Sequence, residues 1–224
     1  MDAVTCRRKV ILPAKLIADA LAIVVLAASG LYPDLARAGG GPLGIDHEWS
    51  YVNSGLWSTH YEQYLVYGVM IFEAGGAVLL GDDEDGFGHT LWQSVDASVV
   101  SGVSAEILKY AFSRARPTQG GNPDKWFQGS CCASFPSGQV TLQASFVTPI
   151  ILHYAHSERW IWALEVLPLY DALARLKHND HWQTDVIAGW ALGTAAGYWA
   201  AKRETPVMVQ ILPRGLTIGF YRHF

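Results

Sequence analysis

The chain has 224 residues, half of them hydrophobic and 16% charged, with a formal net charge of -4. That length suits one domain with a sizeable core. The acidic balance, with no basic stripe interleaved with aromatics, argues against a nucleic-acid partner. The mean hydropathy of +0.15 is high for a soluble chain and low for one that crosses a membrane many times.

The first forty residues read as a targeting segment. Arg7, Arg8 and Lys9 form a basic start, an apolar run follows from Ala20 to Ala28, and Ala36-Arg37-Ala38 offers a small-residue cleavage site. Residues 1–38 are expected to be a signal peptide or an uncleaved N-terminal membrane anchor. Either exports the remainder, so the expected location is periplasmic or membrane-associated, with the active site outside the cytoplasm. Residues 39–224 form the single domain. Cys6 leaves with a cleaved signal, and Cys131 and Cys132 are then either small buried side chains or a strained vicinal pair. No Cys/His spacing suggests a metal site.

Residues 39–63 read as an ordered arm. Helices with apolar spacing near 3.6 are predicted at Glu62–Leu80, Thr90–Ala115, Gly138–His156, Arg159–Lys177 and Thr184–Arg203. The acidic run Asp82–Asp85 is a solvated loop between the first two. The stretch from Ala115 to Ser137, with Pro117, Gly120, Gly121, Pro123 and Pro136, is a long loop of the kind that often carries function. Alternation around Pro213-Arg214-Gly215 suggests a short terminal strand pair. The fold class is therefore all-α, a helical bundle with a C-terminal hairpin. Glu73, Glu106, Lys109, Glu165 and Asp171 interrupt the apolar segments, which favours a soluble or peripherally attached bundle. An anchor plus five helices would also make an integral six-helix topology.

Three clusters gather polar residues in this charge-poor chain. In the first, Lys109 and Arg116 are seven apart, so a continuous helix would place both on one face roughly 10 Å apart along its axis. Pro117 disfavours helix at Arg116 and turns its guanidinium outward. In the second, Ser134-Phe-Pro136-Ser137-Gly138-Gln139 precedes an apolar helix. Ser137 can cap that helix, Gly138 admits a ligand to the backbone, and the free amides of a helix start attract anions. In the third, Arg175 is followed by His178, Asp180, His181 and Asp185. His181 and Asp185 are spaced for the carboxylate to accept from one ring nitrogen and present the other. Each cluster alone has an ordinary structural explanation. Their coincidence points to phosphate chemistry.

The joint spacings K-x6-R-P, P-S-G and R-x5-H-x3-D, over about residues 90–201, resemble those of the type 2 phosphatidic acid phosphatase superfamily. That group includes lipid phosphatases, bacterial class A acid phosphatases and vanadium-dependent haloperoxidases. The tract His181-Trp182-Gln183-Thr184-Asp185-Val186 is particularly similar to the class A enzymes. The resemblance implies that Lys109, Arg116 and Arg175 hold the phosphate oxygens, with Ser137 and the Gly138 amide completing the cradle. It implies that His181 attacks phosphorus, that Asp185 orients it, and that a phosphohistidine is then hydrolysed. No cofactor or metal is implied. The partner would be a phosphorylated small molecule or lipid, a monoester or diphosphate, met at a membrane surface.

Two positions depart from the family pattern. Ala174 stands where the family has Ser, which removes one hydrogen bond. Gln139 stands where the family has the His that protonates the leaving oxygen, a step typically worth about 10²–10⁴-fold. Gln139 could be an engineered inactivation, or the substrate could carry a good leaving group. His178 or Asp180 could supply the proton instead, or the chain could be a non-catalytic phosphate- or phospholipid-binding relative. A vanadate-dependent oxidoreductase is the least favoured alternative, because that chemistry also uses the replaced histidine.

Overall fold

The computed structural model describes residues 39–81, 86–203, 207–212 and 215–220. The targeting segment and the acidic run 82–85 lie outside the described residues. Five α-helices are present among them: α1 (Thr59–Leu80), α2 (Phe87–Phe112), α3 (Gly138–Tyr154), α4 (Val166–Lys177) and α5 (Gln183–Ala201). Strands β1 (Val207–Leu212) and β2 (Gly215–Phe220) pair antiparallel, in register from Val207 opposite Phe220 to Leu212 opposite Gly215. The all-α class with a terminal strand pair is as the sequence predicts.

Helices α1 and α2 each begin three residues earlier than expected, and two further differences bear on the site. Helix α2 stops at Phe112 because Ser113 turns left-handed (φ 40°) and its N–H closes on the Lys109 carbonyl. Arg116 then lies off the helix in extended backbone, as Pro117 requires, so Lys109 and Arg116 do not share a helix face. The segment Arg159–Lys177 is a 3-10 turn at Arg159–Glu165 followed by α4. Pro168 has no N–H to continue an α-helical ladder back to Leu164, and the tighter turn absorbs the break.

Helix α3 packs along α5, with α2 against both and α1 against α2. Ala77, Leu91, Phe146, Val147, Ile150, Ile151 and Ile161 form the main core. The α3–α5 contact is unusually close because Gly189, Gly193 and Gly197 line one side of α5. A methyl group at Gly193 would lie 2.2 Å from the Thr141 carbonyl oxygen, and one at Gly189 would lie 2.5 Å from that of Ser137. Backbone contact follows directly: the Ser137 N–H donates to the Asp185 carbonyl at 3.0 Å. The starts of α3 and α5 are thus fixed together at one end of the bundle.

The arm is ordered, as expected. Gly40 bridges Asp46, the Val52 N–H donates to the Lys177 carbonyl, and Trp49 exchanges two hydrogen bonds with the Asn179 side chain. Among the described residues, α1 is the one helix long and apolar enough to cross a membrane. Its outer face is largely uncovered, with Ile71 73% and Leu79 86% exposed.

Candidate active site

The loop between α2 and α3 is tied to the start of α5 by buried polar contacts. Arg114 is fully buried and its guanidinium joins three segments. Nη1 donates to Asp185 Oδ1 at 2.6 Å and to Thr184 Oγ1 at 2.8 Å, while Nη2 donates to Asp46 Oδ2 at 2.6 Å. Nε donates to the Pro123 carbonyl at 3.0 Å, and the guanidinium carbon lies 4.4 Å from the Trp126 ring centroid. Asp46 also accepts from the Thr184 N–H and hydroxyl. The second oxygen of Asp185 accepts from Ser134 Oγ at 2.5 Å and from the Trp182 N–H at 2.9 Å. The Trp182 indole N–H reaches back to the Ala115 carbonyl at 2.8 Å.

His181 lies two residues before α5, not on its opening turn. Its Nδ1 is 2.7 Å from the Ser134 carbonyl oxygen. A carbonyl only accepts, so Nδ1 carries the proton and donates, which leaves the Nε2 lone pair uncommitted. The expected direct bond to Asp185 is not made, since Nδ1 and Oδ2 are 3.9 Å apart. Asp185 instead accepts from the hydroxyl of Ser134, whose carbonyl accepts from the imidazole. Burial drives the His181 pKa below its ordinary value. The nearby Arg175 and Arg116 charges push the same way, against the Asp185 carboxylate. Burial works against the Asp185 carboxylate, but His181, Arg114 and Ser134 outweigh it and keep its pKa low. Both shifts favour a neutral imidazole beside a carboxylate anion.

Of the cationic residues predicted for the cradle, Arg175 and Arg116 lie near enough to His181 for their charges to act on it. The Lys109 amine lies against the start of α3, where a methyl group at Gly138 would meet Nζ at 3.0 Å. It is also paired with Glu106 at 2.6 Å. Arg175 and Arg116 converge on the two oxygens of Asp180, at 2.9 and 3.4 Å. Arg175 is held from behind by buried Glu62 of α1 at 3.2 Å, and Glu62 lies 3.2 Å from His178 Nδ1. Ser137 does not cap α3. Its hydroxyl is buried without a partner, an orphan beside the unpaired first amides of the helix. Gln139 is half-buried, and its amide makes no hydrogen bond to another described residue. Contacts thus link Lys109 to Gly138, Ser137 to Asp185, His181 to Ser134, and Arg116 to Arg175 through Asp180.

Sequence reasoning did not single out Arg114, Ser134, Asp46 or Glu62. Arg114 precedes Arg116 by two in a chain poor in charge, a signal that was available. Asp46 and Glu62 gave none, because their role depends on where the arm and α1 dock. Cys131 and Cys132 are free thiols, the first exposed and the second buried, so only the second matches the buried reading.

The family profile of the PAP2 superfamily matches residues 91–206, and the chain belongs to that superfamily. Two relatives are similar over part of it. An undecaprenyl-diphosphatase of Sulfolobus acidocaldarius is 28% identical over 109 residues, covering 48% of this chain and 52% of the relative. A lipid A 1-phosphatase of Porphyromonas gingivalis is 29% identical over 97 residues, covering 41% of this chain and 19% of the relative. The chain therefore spans about half, and about a fifth, of the length of these curated relatives. The crystal structure of Aquifex aeolicus LpxE aligns with a TM-score of 0.48 at 19% identity, covering 64% of this chain and 85% of that one.

Proposed function

We propose that the chain is a metal-free phosphohydrolase that works through a phosphohistidine on a lipid-linked diphosphate. The observation that carries this reading is the state of His181. It is buried, burial and the nearby Arg175 and Arg116 charges hold its pKa below the ordinary value, and its Nδ1–H donates to the Ser134 carbonyl, so the lone pair is on Nε2. In the proposed reaction the Nε2 lone pair attacks phosphorus, the N–P bond forms, and the P–O bond to the leaving group breaks. Water then attacks phosphorus, the N–P bond breaks, and inorganic phosphate leaves. Lys109, Arg116, Arg175, Ser137 Oγ and the Gly138 amide stabilise the charge on the transferring group. Asp185, through Ser134 and its field at 3.9 Å, stabilises the cationic ring formed on attack.

Gln139 selects among substrates. An amide donates a hydrogen bond but no proton, so alkoxide departure from a simple monoester loses its general acid. A diphosphate departs as a phosphate and needs little protonation. One relative is an undecaprenyl-diphosphatase, which agrees with this choice. The uncovered apolar face of α1 supports contact with a lipid surface, and export of residues 39–224 would place the site outside the cytoplasm. Gln139 also favours one second reading, a phosphate- or phospholipid-binding relative without turnover. Steady-state assays on a polyprenyl diphosphate, a lipid monophosphate and a chromogenic aryl phosphate test the proposal. Turnover of the diphosphate and aryl ester well above the lipid monoester is expected. Phosphate binding with no turnover of any would establish the second reading.

A further inference from the structure

Every cation of the cradle already has an anion on it. Lys109 has Glu106, Arg175 has buried Glu62, and the faces of Arg116 and Arg175 that look toward each other share Asp180. Asp180 differs from the other two. Glu62 holds Arg175 from the protein side, and Glu106 is exposed on α2. Asp180 stands between the two guanidinium groups, Oδ2 at 2.9 Å from Arg175 Nη2 and Oδ1 at 3.4 Å from Arg116 Nη1, one residue before His181. Its side chain keeps 27% of its surface exposed, so a rotamer change can carry it to solvent.

Its backbone, by contrast, is fixed. Asn179 takes a left-handed conformation (φ 53°) and its side chain is bonded to both backbone groups of Trp49 in the arm. The Asp180 N–H donates to the Arg175 carbonyl at 3.1 Å. The turn that ends α4 therefore aims this carboxylate at the place where two arginines would meet a phosphoryl oxygen.

We propose that Asp180 is a built-in counter-anion of the cradle, which a phosphoryl group must displace in order to bind between Arg116 and Arg175. This rests on the cradle reading above. A group bearing two negative charges and three acceptor oxygens outcompetes one carboxylate for two guanidinium forks, so substrate still binds. Inorganic phosphate, which has no lipid or diphosphate remainder to add contacts, loses the most from the competition. The device weakens product retention in a site otherwise built from three cations.

The test is equilibrium binding of inorganic phosphate and of vanadate to the full chain, by titration calorimetry. The parent protein is compared with Asp180→Asn, Asp180→Ala and Arg175→Gln, each checked by its melting curve. Both Asp180 variants should bind either anion about tenfold more tightly, the order expected when a charge-assisted contact no longer competes. Product inhibition by phosphate should strengthen by the same factor. Unchanged or weaker binding in both Asp180 variants, with Arg175→Gln still weaker than the parent, would overturn the counter-anion role and leave the cradle standing. No anion binding by the parent or either Asp180 variant, or equal binding by Arg175→Gln and the parent, would overturn the cradle and this proposal together.

Discussion

Replacing Arg114 by alanine should cost a large part of the stability of the fold, although Arg114 is not expected to touch substrate. Its guanidinium is fully buried between Asp46 and Asp185, two carboxylates that are themselves buried, at 2.6 Å each. Alanine leaves both anions without their shared cation and removes the donor to the Pro123 carbonyl and to the Thr184 hydroxyl. Breaking a buried pair by removing one partner typically costs about 3–5 kcal/mol. Against a total of about 5–15 kcal/mol for an ordinary domain, that is a fall in melting temperature of roughly 10 °C or more. Arg114→Lys retains the charge but not the fork that reaches both carboxylates, and should recover only part of the loss. The assay is a urea or thermal unfolding curve of the three proteins in one detergent or buffer. A loss under about 1 kcal/mol for Arg114→Ala would refute the view that this network is what holds the loop to α5.

Other consequences follow from the same geometry. Gln139→His should raise turnover of lipid monoesters by about 10²-fold or more while changing diphosphate hydrolysis little, seen as a flatter dependence of rate on leaving-group pKa; equal slopes in the two proteins would mean another group already donates the proton. Because burial lowers the His181 pKa, its neutral form persists below the ordinary 6.5, so the acid limb of kcat/KM should fall below that value. The sign for stability is the same: its contribution is present above 6.5 and lost as pH falls through the lowered folded value. Asp171 runs the other way. Both its oxygens are buried without a well-aligned donor, and burial, with Glu62 adding, pushes its pKa up to about 8. Its contribution is present below 3.8 and lost as pH rises through about 8, so Asp171→Asn should gain stability in alkaline unfolding curves relative to the parent. EDTA should leave activity unchanged; loss restored by added zinc would contradict the metal-free reading.

The sequence made the helices readable because each is a long run rich in apolar residues, and the terminal pair because it alternates. The ends of α2 and α4 were not readable. One depends on a left-handed Ser113 and the other on how Pro168 is accommodated, and neither changes the hydrophobic period. Among the candidate site residues, the joint spacings and the family resemblance they carry drew attention to His181, Asp185 and the cations. Sequence reasoning misjudged how His181 is oriented, because a main-chain carbonyl accepts from Nδ1–H and any residue type could offer one. It also assigned Ser137 to capping, where the close approach of α5 through Gly189 brings the Ser137 N–H to Asp185 and leaves the hydroxyl unpaired. Asp180 was visible as a candidate acid. Its position between two arginines, at 3.4 and 2.9 Å, was not visible.

The central claim is that His181 carries the phosphoryl group covalently. The direct measurement is a rapid quench into alkali of the protein mixed with a phosphorus-labelled aryl phosphate or polyprenyl diphosphate, followed by peptide mapping. Phosphohistidine is labile to acid and survives base, so label should sit on His181, vanish on acid treatment, and be absent from His181→Ala. Label on another residue, or full turnover by His181→Ala, would contradict the account.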